Sequence, residues 1–397
     1  MSANIRFKSP VLVLAAVVFA IGCKDRGGDG GGDGRHSKNH GPRGGDGEIL
    51  VGEYGSMTGS TATFGVETHN GIQIAVDETN EAGGVKGRKL RLISLDDQGK
   101  SDEAVTTVTR LIDLDHVVAV LGEVASSRSK VGARVCQRKR VPMVTPSSTN
   151  PEVTKVGDYI FRVCFIDPFQ GLVMAKFART NLGLTKVAIL RDVRNDYSVG
   201  LADAFKEAFG RLGGTVVSDL SYNEGDTDFS AQLTTIKTAG PQAIFVPGYY
   251  TEVGNIAVQS KRLGLDVPLL GGDGWDSPQL VEIGGEALNG SYFSNHYSAE
   301  RATPTAQRFI DEYRRRYHET PSGLAALGYD AAKILFDAMG RATTIDGPTI
   351  RDALASTRGF DGVTGNITID AGRNAVKPAV VLKIEGGKYE YVATIEP

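Results

Sequence analysis

The chain has 397 residues, 41% of them hydrophobic, with 44 basic against 47 acidic side chains and a net charge of −3. That balance suits a soluble globular protein, and no basic stripe marks a nucleic-acid surface. Beyond the first 47 residues the length suits two domains better than one.

The chain opens with Arg6 and Lys8 ahead of an apolar run from Val11 to Ile21, which ends in small residues before Cys23. This is the pattern of a signal peptide, 1–22. The run is too short for a membrane-spanning helix, which needs roughly 20 apolar residues. From Lys24 to Gly47 the sequence is almost wholly Gly, Asp, Arg, His and Lys, with nothing to offset the entropy of ordering. It is expected to be a flexible tether, 23–47. Its Asp-Gly repeats and His36 and His40 lack a scaffold that would fix metal ligands.

From Glu48 strand-like and helix-period segments alternate: Ile49 to Tyr54, Asn70 to Asn80, Leu90 to Leu95, Asp102 to Asp113 and Val117 to Leu121. Such alternation predicts parallel sheets covered by helices, an α/β fold. The pattern resumes after Tyr159 with Val187 to Arg191, Gly200 to Leu212, Thr215 to Tyr222, Phe229 to Thr238, Ala243 to Pro247 and Val253 to Leu263. Two long helical segments follow, Thr303 to Arg316 and Gly323 to Ala342, then Pro348 to Ser356 and strand-like runs at Gly365 to Asp370 and Pro378 to Ile384. Returning these helices to the first unit balances the two. The expected division is 48–166 plus 296–371 for one lobe and 167–295 plus 372–397 for the other. The chain then crosses between lobes several times, as in a hinged clamp.

Motifs for common enzyme chemistries are missing. Gly99-Lys100-Ser101 ends like a P-loop but has Ser94 where the first glycine belongs. Neither a dinucleotide glycine turn, a nucleophile elbow nor a zinc helix is present, and His69, His116, His296 and His318 form no ligand spacing. Cys136 and Cys164 would be free to pair in an oxidising compartment. Their helix-like and strand-like contexts favour two separately buried thiols.

Serines cluster where α/β proteins place ligands. Ser126 and Ser127 follow the strand-like Val117 to Leu121 and precede a helix-like stretch, so hydroxyls and amide N–H groups face the carboxyl end of a parallel sheet. A helix start with serine hydroxyls is an anion cradle. Ser147, Ser148 and Thr149 follow the next strand-like run, Val141 to Thr145, and add a second set of donors. Together they suit an α-carboxylate, with helix capping as the alternative. Asp273 lies in Gly271-Gly272-Asp273-Gly274, where a short carboxylate can approach a cation or merely form a turn.

Several motifs in order resemble the leucine/isoleucine/valine-binding protein family. They are Met57-Thr58-Gly59 before Phe64-Gly65, IQIAVDETNEAGGVKG from Ile72 to Gly87, Asp96-Asp97, Gly122 to Ser127, VPMVTPSSTNP from Val141 to Pro151, Gly248-Tyr249, and Gly271 to Gly274. The likeness covers nearly the whole chain after the tether. It implies a two-lobed periplasmic-binding-protein (Venus flytrap) fold, each lobe a mainly parallel sheet with helices on both faces.

The resemblance also implies roles. Residues matching Ser126 and Thr149 hold a ligand carboxylate, the carbonyl at Ser147 accepts from its ammonium, and Asp273 stands where the family commonly has Glu as the ammonium's partner. Phe64, Tyr197 and Tyr249 match aromatic walls, and Gly274 and Trp275 adjoin the acidic residue. Rings facing an ammonium attract it, with burial in a lobe core as the alternative. Near Ser322-Gly323, Leu324-Ala325-Ala326-Leu327 replaces a large aromatic of leucine-binding relatives, which puts an aliphatic-specific pocket in question.

The implied function is the extracytoplasmic solute-binding component of an ABC importer, which closes its hinge on an amino acid or similar ligand without catalysis, cofactor or metal. Its partners would be permease and ATPase subunits, and the receptor itself a monomer. Ala20-Ile21-Gly22-Cys23 resembles a lipobox, with Ala20 where Leu is usual. Cys23 would then carry the lipid, and Asp25 resembles a signal for retention at the inner membrane of the periplasm. A sensor for amino acids, amides or urea working through a separate membrane partner is the alternative, and an amidohydrolase on the same fold a third.

Overall fold

The computed structural model describes residues 47–397. The expected signal peptide, the tether up to residue 46 and Cys23 lie outside the described residues. No helix among the described residues is long and apolar enough to cross a membrane.

The first unit runs β1 (Ile49–Gly55), α1 (Ala62–Glu81), β2 (Leu90–Asp96), α2 (Ser101–Asp113), β3 (Ala119–Leu121), α3 (Ser126–Lys139), β4 (Met143–Thr145) and β5 (Ile160–Arg162). Its five strands are all parallel, in the order β2-β1-β3-β4-β5, with Ile49 opposite Leu90 and Val51 opposite Ala119. Successive side chains leave a strand on opposite faces. Val51, Leu121, Val144 and Phe161 therefore pack on one side of the sheet, against Ile72 and Leu335. Val120, Met143 and Ile160 pack on the other, against Val108, Leu111 and Ala133. Burial on both faces explains why these strands read as continuous apolar runs.

The second unit begins at α4 (Asp167–Lys176) and continues through β6 (Lys186–Asp192), α5 (Asp196–Arg211), β7 (Thr215–Tyr222), α6 (Ser230–Ala239), β8 (Ala243–Phe245), α7 (Tyr250–Arg262), β9 (Leu269–Gly271), α8 (Pro278–Gly284) and β10 (Ser291–Asn295). The chain then forms α9 (Pro304–Tyr317), α10 (Gly323–Arg341), α11 (Gly347–Ala355) and a small antiparallel sheet of β11 (Phe360–Gly362), β12 (Gly365–Ile369) and β13 (Ala375–Val376). It finishes with β14 (Ala379–Glu385) and β15 (Lys388–Ile395), antiparallel at the edge of a seven-stranded sheet ordered β15-β14-β10-β9-β8-β6-β7.

Helices α10 and α11 and strand β12 pack on the first unit: Leu327, Leu335, Met339, Ile350 and Ile367 share one core with Ile49 and Val51. The last crossing comes later than the expected boundary after residue 371. Ala375 still pairs with Ile369, and the chain reaches the second sheet only at Ala379. Cys136 and Cys164 are both free and buried, in different core clusters.

Close crossing of α1 and α10 fixes this return. A Cβ on Gly71 of α1 would fall 1.9 Å from the carbonyl oxygen of Ala325, a backbone atom that cannot rotate away. Gly71→Ala is expected to lower stability by about 1–3 kcal/mol, the usual cost of overpacking. Gly210→Ala, at a helical position with open space around its Cβ, should instead raise it by about 0.4–1 kcal/mol. Denaturant melts of both variants check the pair of signs.

Candidate functional site

Each large sheet contains a parallel set in the order 2-1-3-4-5: β2-β1-β3-β4-β5 in the first, and β7-β6-β8-β9-β10 in the second. Ligands of such sheets bind at the carboxyl ends of strands, where the order reverses. Here those ends face one another. Phe64 follows β1, Ser126 follows β3 and Ser147 follows β4. Tyr197, Tyr249 and Asp273 follow β6, β8 and β9. These six, with Val124, Gly274 and Leu324, line a small, tightly closed cavity of about 10 Å³.

The lobes are closed around it. Thr63 N–H donates to the Tyr250 hydroxyl at 3.4 Å, Thr251 donates to the Ser60 carbonyl at 2.9 Å, and Asp196 N–H donates to the Ser127 hydroxyl at 3.0 Å. Lys130 pairs with Asp196 at 2.5 Å, and Asp276 accepts from Gly323 N–H at 2.6 Å.

On the first lobe, Ser126 opens α3 and its Oγ accepts from Asn150 N–H at 3.2 Å. The Ser147–Asn150 loop is held from behind by buried Arg162 of β5. Its guanidinium donates to the Ser148 carbonyl, to the Asn150 carbonyl at 2.8 Å and to Thr154 Oγ1 at 3.2 Å. Ser147 faces Asp273, Oγ to Oδ2, at 3.5 Å. Ser148 does not face the cavity: its hydroxyl lies 2.8 Å from the Val124 carbonyl and 2.6 Å from Ser129 Oγ, tying the β3 and β4 loops together. Thr149 does not line the cavity either, but its Oγ1 is buried without a partner.

On the second lobe, the Asn195 side chain caps α5 by accepting from Tyr197 N–H at 3.1 Å. That sets Tyr197 against Tyr249, stacked at 5.4 Å, and Phe64 meets Tyr249 edge-on at 5.0 Å across the cleft. The Tyr197 hydroxyl accepts from Gly274 N–H at 3.1 Å. Trp275 departs from the expected position beside a ligand. Its indole N–H donates to the Val246 carbonyl at 3.0 Å and its ring packs near Phe293 inside the lobe core. The neighbouring glycines supply space: a Cβ on Gly271 would strike the indole at 2.1 Å, and one on Gly272 the Tyr197 hydroxyl oxygen at 2.6 Å.

Asp273 is 3% exposed. Gln170 Nε2 donates to its Oδ1 at 2.8 Å, and His296 Nε2 stands 3.0 Å from Oδ2. Burial lowers the affinity of His296 for a second proton, against the opposing pull of Asp273. The imidazole is therefore neutral near pH 7 and donates from Nε2. Gln170 and neutral His296 satisfy the carboxylate's lone pairs without cancelling its charge. Neither residue was singled out from the sequence. Gln170 stands in a helix not recognised there, and His296 follows β10, whose SYFSN sequence has too little apolar content to read as a strand.

Other carboxyls are buried near the cleft. Burial pushes Asp167 up to about 8, and Asp276 to about 6. Asp97, buried beside Glu123, rises to about 7. Free carboxyls titrate near 4, so unfolding between these values releases protons and stability falls as pH rises. His296 acts in the opposite sense, losing stability only as pH drops below about 6.5. The thermal midpoint is expected to peak in mildly acidic buffer and to decline from pH 6 to 8.5. A midpoint that rises over that interval contradicts these assignments.

The comparisons with known proteins agree with the fold. Residues 48–388 match the family described as periplasmic binding protein. Leu/Ile/Val-binding protein homolog 3 of Brucella melitensis is 31% identical over 344 residues, covering 86% of this chain and 92% of the relative. Among solved structures, the leucine-binding protein LivK of Thermotoga maritima superposes with a TM-score of 0.85 at 42% identity, covering 88% of this chain and 99% of that one. The branched-chain amino-acid substrate-binding protein LivJ of Streptococcus pneumoniae, in complex with isoleucine, gives 0.84 at 35% identity, covering 88% and 100%. The chain belongs to the periplasmic binding protein family, as a solute-binding protein.

Proposed function

We propose that this protein is the extracytoplasmic receptor of an ABC importer for an amino acid, and that the ligand's two α-groups bridge the lobes. The observation that carries the reading is the buried Asp273 carboxylate, which faces the hydroxyl-bearing loops of the first lobe and is hydrogen-bonded by neutral groups alone, Gln170, His296 and the Ser147 hydroxyl. A buried charge in this condition gains most from a cation. The ligand ammonium takes that place, with the Ser147 carbonyl as second acceptor. Its carboxylate is held by Ser126 at the start of α3 and by the adjoining Ser147–Asn150 loop, which bears Thr149.

Phe64, Tyr197 and Tyr249 wall the cavity, and Val124 and Leu324 give it an aliphatic side. Leu324 sits in the stretch that departs from the leucine-binding pattern, yet it supplies an apolar wall of its own. A Leu/Ile/Val-binding protein homolog among the relatives, and the isoleucine held by LivJ of Streptococcus pneumoniae, support a ligand of that size. The hinge segments bound the two lobes near 166, 296 and 377. No bond of the ligand is made or broken. The acylated Cys23 keeps the receptor at the inner membrane, where the permease and its ATPase take the ligand from the closed clamp, and local tethering raises the effective concentration of the pair.

Asp273→Asn removes the charge but keeps the shape. It should weaken binding of L-leucine or L-isoleucine by roughly 30-fold or more, about 2 kcal/mol, the lower bound for truncating a buried charged pair. The double change Ser126→Ala, Thr149→Val should have a similar effect while the melting temperature stays near that of the parent. Unaltered affinity in calorimetric titration of either variant refutes the site.

A further inference from the structure

A second and larger cavity, of about 750 Å³, lies between the lobes beside the first. Three elements line both cavities. Phe64 and Glu67 are one turn apart on α1, Gly274 and Asp276 share the loop after β9, and Leu324 and Gly323 adjoin at the start of α10. Its size is that of a small-ligand site.

Its lining is acidic and incompletely satisfied. Glu67, 7% exposed, has an Oε2 atom with no hydrogen-bond partner, and the Tyr297 hydroxyl, equally buried, has none either. Asp276 approaches from the second lobe, held by Asn295 Nδ2 at 2.8 Å and Gly323 N–H at 2.6 Å. Glu300 and Glu319 add two more carboxylates, and Arg314 and Lys388 two cations. Arg314 is engaged with Thr320 Oγ1 at 3.0 and 3.3 Å, and among the described residues neither Glu67 nor Asp276 forms an ion pair.

We propose that this cavity is a subsite for a cationic nitrogen group, an ammonium or a guanidinium, seated between Glu67 of the first lobe and Asp276 of the second. The group has two possible sources. One is the side-chain end of a basic amino acid whose α-groups occupy the neighbouring cavity, a case that rests on the function proposed above. The other is a separate small amine. In either case the cation joins carboxylates from both lobes and strengthens closure. Burial, with Asp276 nearby, pushes Glu67 up to about 8, so the empty subsite holds it protonated at neutral pH. Cation binding releases that proton and tightens as pH rises.

Calorimetric titration of the purified protein with L-leucine, L-lysine, L-arginine, and butylamine in saturating L-leucine, at pH 6.5 and 8.0, tests this. A basic amino acid or butylamine should bind about tenfold more tightly at pH 8.0, following ionisation of Glu67. Glu67→Gln should lose tenfold or more for the cation and stay within twofold of the parent for L-leucine. Binding of L-lysine or L-arginine alone identifies the side-chain source, and binding of butylamine the separate amine. Failure of every cation to bind the parent overturns the subsite, as does a Glu67→Gln variant with unchanged cation affinity. Should that variant misfold, a parent affinity that does not rise between the two pH values overturns it instead. If L-leucine binds and no cation does, only the subsite fails. If none of L-leucine, L-lysine and L-arginine binds, the function proposed above fails.

Discussion

The cleft depends on one buried negative charge that its own lobe leaves uncompensated. Asp273 reaches the interlobe cavity from the end of β9, and its oxygens are positioned by an amide and a neutral imidazole. Hydrogen bonds of that kind fix geometry and satisfy lone pairs, but they leave the charge to be matched from elsewhere. The hydroxyls and amides opposite, at Ser126 and Ser147, favour anions. A ligand with adjoining positive and negative groups, such as the ammonium and carboxylate of an α-amino acid, meets both demands at once.

The rest of the structure keeps those groups in place. Two parallel sheets with the same strand order present their carboxyl ends to each other, so the loops that carry side chains into the cavity are short and start from buried strands. Arg162 anchors the Ser147–Asn150 loop by its carbonyls. Gly271 and Gly272 allow Trp275 and Tyr197 to pack within van der Waals reach of the backbone that bears Asp273. Fixing a site through the packing of its supporting shell is what holds the productive geometry. The interlobe bonds through Asp196, Thr251 and Tyr250 join side chains and backbone outside the cavity lining, as contacts that form and break with a hinge would.

Much of this was legible in the sequence, for identifiable reasons. Strands buried on both faces, such as β3, β6 and β8, carry apolar runs, and Ser126, Tyr197 and Tyr249 follow them within five residues. Helix α1 starts at Ala62, eight residues before the segment expected from Asn70, because its first turns, rich in Thr and Gly, pack against Tyr249 and Tyr250 of the other lobe rather than within one amphipathic stripe. Strand β15 alternates exposed and half-buried residues at a sheet edge and so lacks an apolar run. Trp275 shows the limit of placing a side chain by its neighbours in sequence: two residues after Asp273 the chain has turned through a short helical turn, and the ring points into the core. His296 illustrates the converse, a cleft residue far from any motif, brought in by the hinge.

Hinge closure around the ligand is the central claim, and small-angle scattering in solution measures it directly. The account predicts a smaller radius of gyration when L-leucine or L-isoleucine is added to the ligand-free protein, and no such change in Asp273→Asn at the same concentration. Equal compaction of the two proteins, or no change in the parent under conditions where calorimetry shows the amino acid bound, would contradict it.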